Sequence, residues 1–383
     1  MAEKYNHTPE MQSMSRIVFS TNSSFSLVKF RYGIMKKLRE LGHEVHAVIP
    51  CEGLEDELTK IGVKVHPLNM DSNGLNPLKD IIYFIRLIII FFRIKPDAVF
   101  NYTAKSTIYG TVAAKLSGAV SIPVLPGLGY SFGGRKLEYI ISKMYWFAFL
   151  FADQVWFINN DDKELLEKKR IVPAGKKIFV LPGEGVNTEN FAPMDTPKHK
   201  PFSFLLIARL IKEKGIVEYV KAAEIIKSEY SDIRFCLIGQ MDKNNPNAID
   251  AESLSEWVNA GTIEYLGTFN DIRQYIAESE CIVLPTYYRE GKPMVLMEAC
   301  SMAVPVIATR MVGCKDIVVD GVNGIMCDPK DIKDLASAMK KMINMSPAER
   351  RSMGENGRNI IKQKYDENIV ISIYLEELSK LCK

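Results

Sequence analysis

The sequence predicts an α/β chain built from two doubly wound, parallel-sheet domains in tandem. Three observations predict it. Short apolar strands alternate with helical periods in both halves, a single stretch rich in Gly, Pro and charge interrupts that alternation, and 383 residues exceed one ordinary core. Hydrophobic residues make up 47% and charged residues 25%, with no low-complexity stretch, which excludes fibrous and disordered classes.

Taken in order, Arg16–Ser20 is a short apolar run that ends in the polar loop Thr21-Asn22-Ser23-Ser24. A helical period follows from Leu27 to Leu41, closed by Gly42, and His43–Pro50 alternates before turning apolar. Strand, helix and strand within about 35 residues form a βαβ unit, which implies parallel pairing. Asp97–Phe100 and Ser121–Leu125 continue the series around the helical segment Ile108–Leu116, and Gln154–Ile158 and Lys177–Leu181 close this half. Residues 183–201, with Pro193, Pro197 and Pro201, are the best linker candidate. The pattern restarts with strand Phe202–Ala208, helix Ile216–Glu229 and strand Arg234–Gly239. Thr262–Tyr265, Cys281–Pro285, Val304–Ala308 and Gly324–Met326 supply further strands. The domains expected are 1–185 and 186–365, with a last helix at about 366–383 packing back on the first. Such sheets bind ligands at the carboxyl ends of their strands, here in the cleft between the domains.

Net charge is +3, yet the halves differ: residues 1–182 carry 24 Lys+Arg against 17 Asp+Glu, and residues 183–383 carry 25 against 29. The basic first half is either ordinary surface variation or a match to an anionic surface or acceptor. No basic stripe interleaved with aromatics indicates nucleic acid. The seven cysteines include no Cys-x-x-Cys pair and several sit in apolar runs, as buried free thiols of a reducing cytoplasm do. Met1–Ser15 is polar and lacks the apolar core of a signal peptide, so a cytoplasmic location is expected. Two apolar stretches, Ile81–Ile94 and Leu137–Ala152, are too short and too interrupted by Arg86, Arg93 and Lys143 to span a bilayer. They are either helices packed on the sheet or an interfacial face resting on an anionic membrane at the inner side of the plasma membrane.

The segment from Leu284 to Ala299 carries the strongest chemical signal. A strand ends at Pro285, a loop presents Glu290, and Pro293 suits the first turn of a new helix. The free amides of Met294, Val295 and Leu296 would face a positive dipole end, a seat for a diphosphate. Glu298, just over one turn in, could accept both hydroxyls of a ribose, while Glu290 could hold hydroxyls of a sugar, with Lys292 beside it. Read alone, these are equally a loop carboxylate and a helix-surface one. Arg209 and Lys214, in Ala208–Gly215 at another strand's carboxyl end, can converge on phosphate oxygens or form a solvated charge run. No Asp-x-Asp and no His/Cys/Glu cluster with metal spacing occurs, so no metal or cofactor is implied, and charge on a leaving diphosphate would fall to cations and amides.

Arg-x4-Lys-Gly at 209–215 paired with Glu-x7-Glu at 290–298 resembles family 4 of the retaining glycosyltransferases. Ala303–Thr309, Gly313, Asp320–Gly324 and Asp328–Asp331 follow the same family's order, and Gly185-Val186-Asn187 with Phe191 resembles its Gly-Val-Asp…Phe signature. The resemblance runs from about residue 16 to the end. It implies the GT-B fold, two Rossmann-like domains facing a central cleft, with an acceptor-binding first domain and a nucleotide-sugar-binding second. Phe30-Arg31, Asn101–Lys105 and Gly127–Gly129 are similar to the bacterial branch that extends lipid-linked saccharides for capsule, O-antigen or protein glycosylation. It further implies Glu298 on the ribose, Glu290 on the donor sugar, Arg209 and Lys214 on the diphosphate, and Asn22, Ser23 and Ser24 facing donor phosphate and acceptor. That loop is usually glycine-rich in the family, and Pro126 stands where many relatives place a histidine.

The activity expected is retaining, metal-independent transfer of a hexose or N-acetylhexosamine from a UDP-sugar to a saccharide acceptor, polyprenyl-diphosphate-linked by the resemblance. Two alternatives stand beside it: a nucleotide-sugar epimerase of GT-B-like fold, which would consume donor without acceptor, and a non-catalytic nucleotide-sugar-binding protein, which would be expected to have lost one of Arg209, Lys214, Glu290 or Glu298.

Overall fold

A computed structural model describes residues 14–70, 76–128, 135–195, 201–242 and 245–382. Gly129, residues 1–13 and residues 196–200 therefore lie outside the described residues. The chain forms two compact units: residues up to Gly185 together with Glu367 onward, and Val186–Asp366.

The first unit is a parallel sheet of β1 (Arg16–Ser20), β2 (Glu44–Ile49), β3 (Lys64–Pro67), β4 (Ala98–Tyr102), β5 (Val120–Leu125), β6 (Gln154–Phe157) and β7 (Lys177–Val180). They lie in the order β3-β2-β1-β4-β5-β6-β7. The second is a parallel sheet of β8 (Phe202–Ile207), β9 (Ile233–Ile238), β10 (Glu264–Gly267), β11 (Cys281–Leu284), β12 (Val306–Thr309) and β13 (Gly324–Cys327), ordered β10-β9-β8-β11-β12-β13. Helices join successive strands throughout, so both sheets are doubly wound as expected. The order reverses between β1 and β4 and between β8 and β11. These are the switch points beyond whose carboxyl ends ligands bind in open α/β sheets.

Three local readings change. β3 was not foreseen. The period from Leu27 to Leu41 resolves into helices Ser24–Phe30 and Tyr32–Glu40, broken at Arg31. The cause is visible: the buried Arg31 guanidinium donates to the Ser26 carbonyl and Oγ at 3.0 and 2.8 Å and ion-pairs with Glu184. The helical segment starts earlier than Ile108, in a π-helical turn Ser106–Gly110, where Gly110 packs so close to the Asn101 side chain that a Cβ would collide with it.

The Gly- and Pro-rich stretch does not behave as a loose linker over its described part. Val186 donates its amide to the Tyr365 carbonyl at 2.9 Å, and Phe191 is buried under Ser301, whose hydroxyl donates to its carbonyl. The chain returns to the first unit as helix Glu367–Leu381, which inserts Val370, Ile373, Tyr374 and Leu378 into the core with Ile17, Phe19 and Phe100. Tyr374 and Tyr102 share a 2.8 Å hydrogen bond, with the Arg31 guanidinium 4.0 Å from the Tyr102 ring centroid.

At the β2–β3 edge, His46 Nδ1 and His66 Nε2 lie 2.8 Å apart. Burial, with the neighbouring His66 adding, pushes His46 down to about 4, and burial lowers His66 as well. The unfolded chain therefore binds protons that the folded unit refuses as pH falls from 6.5 to about 4. Stability should be intact above the unfolded value and fall progressively through that window. Thermal unfolding of His66→Gln across this range should show a flatter loss than wild type, and an unchanged slope would remove the pair as the cause.

Candidate active site

The loops after β8 and β11 carry most of the residues singled out from sequence. β8 pairs directly with β11, so the two loops leave the sheet side by side. Backbone joins them. The Glu213 carbonyl accepts from the Tyr287 and Tyr288 amides at 2.9 and 3.1 Å and lies 3.1 Å from the Thr286 hydroxyl. The approach is close enough to require glycine. At Gly215, whose φ is +77°, a Cβ would collide with the Pro285 carbonyl. Gly313, with φ +80°, meets the Glu290 and Gly291 carbonyls in the same way.

On this frame Lys214 and Glu290 form an ion pair, both largely buried, with side-chain exposures of 14% and 11%. The Thr286 hydroxyl sits 3.1 Å from Glu290 Oε1, and the Thr286 carbonyl accepts from Thr309. Lys214 also lies 5.4 Å from the Tyr288 ring centroid. Behind the loop, burial with Glu290 adding holds the Cys314 thiol well above its usual range, so it remains a neutral thiol.

Other residues occupy different surroundings. The Arg209 guanidinium is 55% exposed and 3.7 Å from Asp242. Lys292 turns away from the loop surface: its ammonium is 3.6 Å from Asp316 and 5.5 Å from the Tyr365 ring centroid, and burial lowers its pKa. Its surroundings are those of an internal tie to Asp316. Pro293 is the residue that caps helix Met294–Ser301, not its first turn. The Leu296 amide already bonds the Pro293 carbonyl at 3.2 Å, leaving Met294 and Val295 ahead of the first turn's bonds. Glu298 is a buried carboxylate inside that helix. In the first unit, Ser23 Oγ, the Ser24 amide and Ser24 Oγ all meet Glu52 Oε2, at 3.1, 2.7 and 2.9 Å. Asn22, half-buried, precedes them.

Thr286, Thr309, Asp316 and the Glu213 carbonyl were not singled out from sequence. Thr286, four residues before Glu290 at a strand's end, is the one a reader could have marked.

The comparisons identify a sugar-transferring class. A family model for glycosyl transferases group 1 matches residues 187–360, and a glycosyl transferase 4-like model matches 16–159. Together the two models span most of the chain, and it is a glycosyltransferase. It is 26% identical, over 96% of its length and 99% of the relative's, to the N,N'-diacetylbacillosaminyl-diphospho-undecaprenol alpha-1,3-N-acetylgalactosaminyltransferase of Campylobacter jejuni. It is 27% identical, over 88% and 90%, to the capsular polysaccharide biosynthesis glycosyltransferase CapM of Staphylococcus aureus. Its fold matches that of Anabaena HepE in complex with UDP, with a TM-score of 0.76 at 16% identity, over 96% and 100% of the chains.

Substituting Gly313→Ala should push the loop at Glu290 and Gly291 outward and cost about 1–3 kcal/mol of stability. A calorimetric midpoint several degrees below wild type, with transfer activity falling further than stability accounts for, is the expected result. An active variant with an unshifted midpoint would show that the contact is slack.

Proposed function

We propose that the enzyme moves a hexose or N-acetylhexosamine from a UDP-sugar to a saccharide on a polyprenyl diphosphate, with retention at the anomeric carbon. The reaction would serve bacterial surface polysaccharide or glycan synthesis. The observation that carries this reading is the Lys214–Glu290 pair, held by Thr286 where β8 and β11 end. The second unit is assigned the donor and the first the acceptor.

In this reading Glu290 holds donor-sugar hydroxyls. Lys214 has three N–H donors and can keep Glu290 while offering another to a diphosphate oxygen. Arg209, exposed and lightly held, can swing onto the same anion. The Met294 and Val295 amides add a positive helix end, and Glu298 takes the ribose. No carboxylate is assigned as a covalent nucleophile. The proposal is therefore front-face transfer: the acceptor hydroxyl bonds to the anomeric carbon as the diphosphate leaves, and the diphosphate takes the hydroxyl proton. No divalent cation is required in this scheme. The relative from Campylobacter is named for an undecaprenol-diphosphate acceptor and the solved neighbour for UDP, which supports both substrate classes. In the first unit an acceptor or donor phosphate at Asn22–Ser24 would compete with the Glu52 carboxylate for the serine hydroxyls. A polyprenyl acceptor puts the work at a membrane, with the inner face of the plasma membrane as the expected location and peripheral contact with its anionic lipids.

The test is a UDP-sugar panel against a polyprenyl-diphosphate-linked saccharide, read by mass spectrometry, with chelator present and absent. Glu290→Gln should lower kcat/KM by about 10²–10³ and Thr286→Val by about tenfold, from one lost hydrogen bond. Thr286→Ser should recover most of the latter. Donor consumption without acceptor, or wild-type transfer rates in Glu290→Gln, would overturn the assignment.

A further inference from the structure

The first unit presents an apolar surface that its own core does not use. Helix Pro77–Ile94 buries Tyr83, Leu87, Phe91 and Ile94 against the sheet. Its opposite side repeats the pattern in solvent, with Leu78, Ile82, Ile85, Ile89 and Phe92 at alternating steps of four and three. Helix Arg135–Phe151 does the same with Tyr139, Ile140, Trp146, Phe147 and Leu150. These ten side chains are each between 41% and 72% exposed. Both helices pack on the segment Ser106–Leu116. They also cover one face of the sheet: Val18 and Val99 lie under the first helix, Leu125 and Phe157 under the second. The two stripes therefore belong to one side of one unit, and exposed apolar side chains grouped in this way mark an interaction surface.

Charge identifies the occupant. Lys79, Arg86 and Arg93 stand seven residues apart, so they form one row along the flank of the first stripe, and Lys143 lies within the second. The acidic side chains described on these helices are engaged elsewhere: Asp80 with Lys105 at 2.6 Å and Tyr109 at 3.1 Å, and Glu138 with Lys169. No helix among the described residues is long and apolar enough to cross a membrane. An apolar stripe edged by cations on a helix that cannot span is the chemistry of interfacial insertion.

We infer that helices Pro77–Ile94 and Arg135–Phe151 together form a monotopic docking face. The apolar stripes enter the acyl boundary of an anionic leaflet, and Lys79, Arg86, Arg93 and Lys143 lie at its headgroups. The Asp80–Lys105 and Asp80–Tyr109 contacts pin the first turn of the docking helix to the segment after β4, so docking orients the unit as a rigid body. This rests on the acceptor being membrane-borne, and extends it by naming the face and the lipid charge.

The experiment is flotation of the full chain with vesicles of equal parts phosphatidylglycerol and phosphatidylcholine, against phosphatidylcholine alone. Wild type should float with the anionic vesicles, less so with the neutral ones, and less as salt rises. Ile85→Asp with Phe147→Asp should reduce partitioning at least about tenfold on both. Arg86→Glu with Arg93→Glu should abolish the preference for anionic lipid, again by at least about tenfold. Both variants should keep wild-type unfolding midpoints and wild-type transfer to a water-soluble, short-chain acceptor. Wild type that floats with neither vesicle overturns the inference. So does a dimer in sedimentation velocity that Ile85→Asp with Phe147→Asp dissolves while flotation persists, because a second copy would then be the occupant. Flotation is read without any sugar transfer, so failure of the enzyme to use any acceptor counts against the functional reading alone.

Discussion

One peptide carbonyl, that of Glu213, joins the two loops on which the candidate active site depends. It receives two amides and lies in reach of a hydroxyl from the segment after β11, which makes the ends of β8 and β11 move as one piece. Neighbouring strands in a parallel sheet bring their following loops close, but closeness alone would leave side chains free to diverge. The glycines remove that freedom by permitting backbone contact that any Cβ would prevent. Lys214 and Glu290 then meet because the residues on either side of them are already fixed.

The first unit relies on a related device with different chemistry. Arg31 breaks a helix to reach Glu184, the residue just before the chain leaves the unit, and its guanidinium covers Tyr102. Tyr102 in turn holds Tyr374 on the helix that returns to the unit. A buried guanidinium without a partner would be strongly destabilising, so this pairing also specifies where the outgoing chain must lie. In both units, a basic residue in the connection that follows the first strand is matched to a carboxylate far along the sequence.

The alternation of strands and helices was legible because central parallel strands are nearly continuous apolar runs, as in β1, β5 and β11. β3 escaped because it is a four-residue edge strand, only partly buried, whose Lys64 and Pro67 face outward. In the site, Glu290 and Lys214 stood out as charged residues at strand ends. The surroundings of Lys292 did not: proximity in sequence to Glu290 says nothing about Asp316 and Tyr365, which come from later elements and lie beside it. Thr286 could be marked by its place at a strand's end, but a hydroxyl four residues from a carboxylate gains its partner only when the loop folds back. The apolar segments at 81–94 and 137–152 left two readings open. A helix has two sides and these are apolar on both, so packing on the sheet leaves a second apolar face that the sequence pattern does not assign.

That double-sidedness bears on how the charge distribution should be understood. The excess of basic residues in the first half is too small to make the unit a general polycation, and many of its cations are tied to carboxylates within the unit. What distinguishes Arg86 and Arg93 is position: each stands seven residues from the next cation of its row, beside apolar side chains that water does not favour. Coulomb attraction to an anionic surface acts over about 8–10 Å at physiological ionic strength, whereas apolar burial acts only at contact. Cations at the edge of an apolar stripe therefore select the surface and hold the helix parallel to it, and the stripe supplies the residence time. In the proposed docking the two features act together because they occupy the same helix.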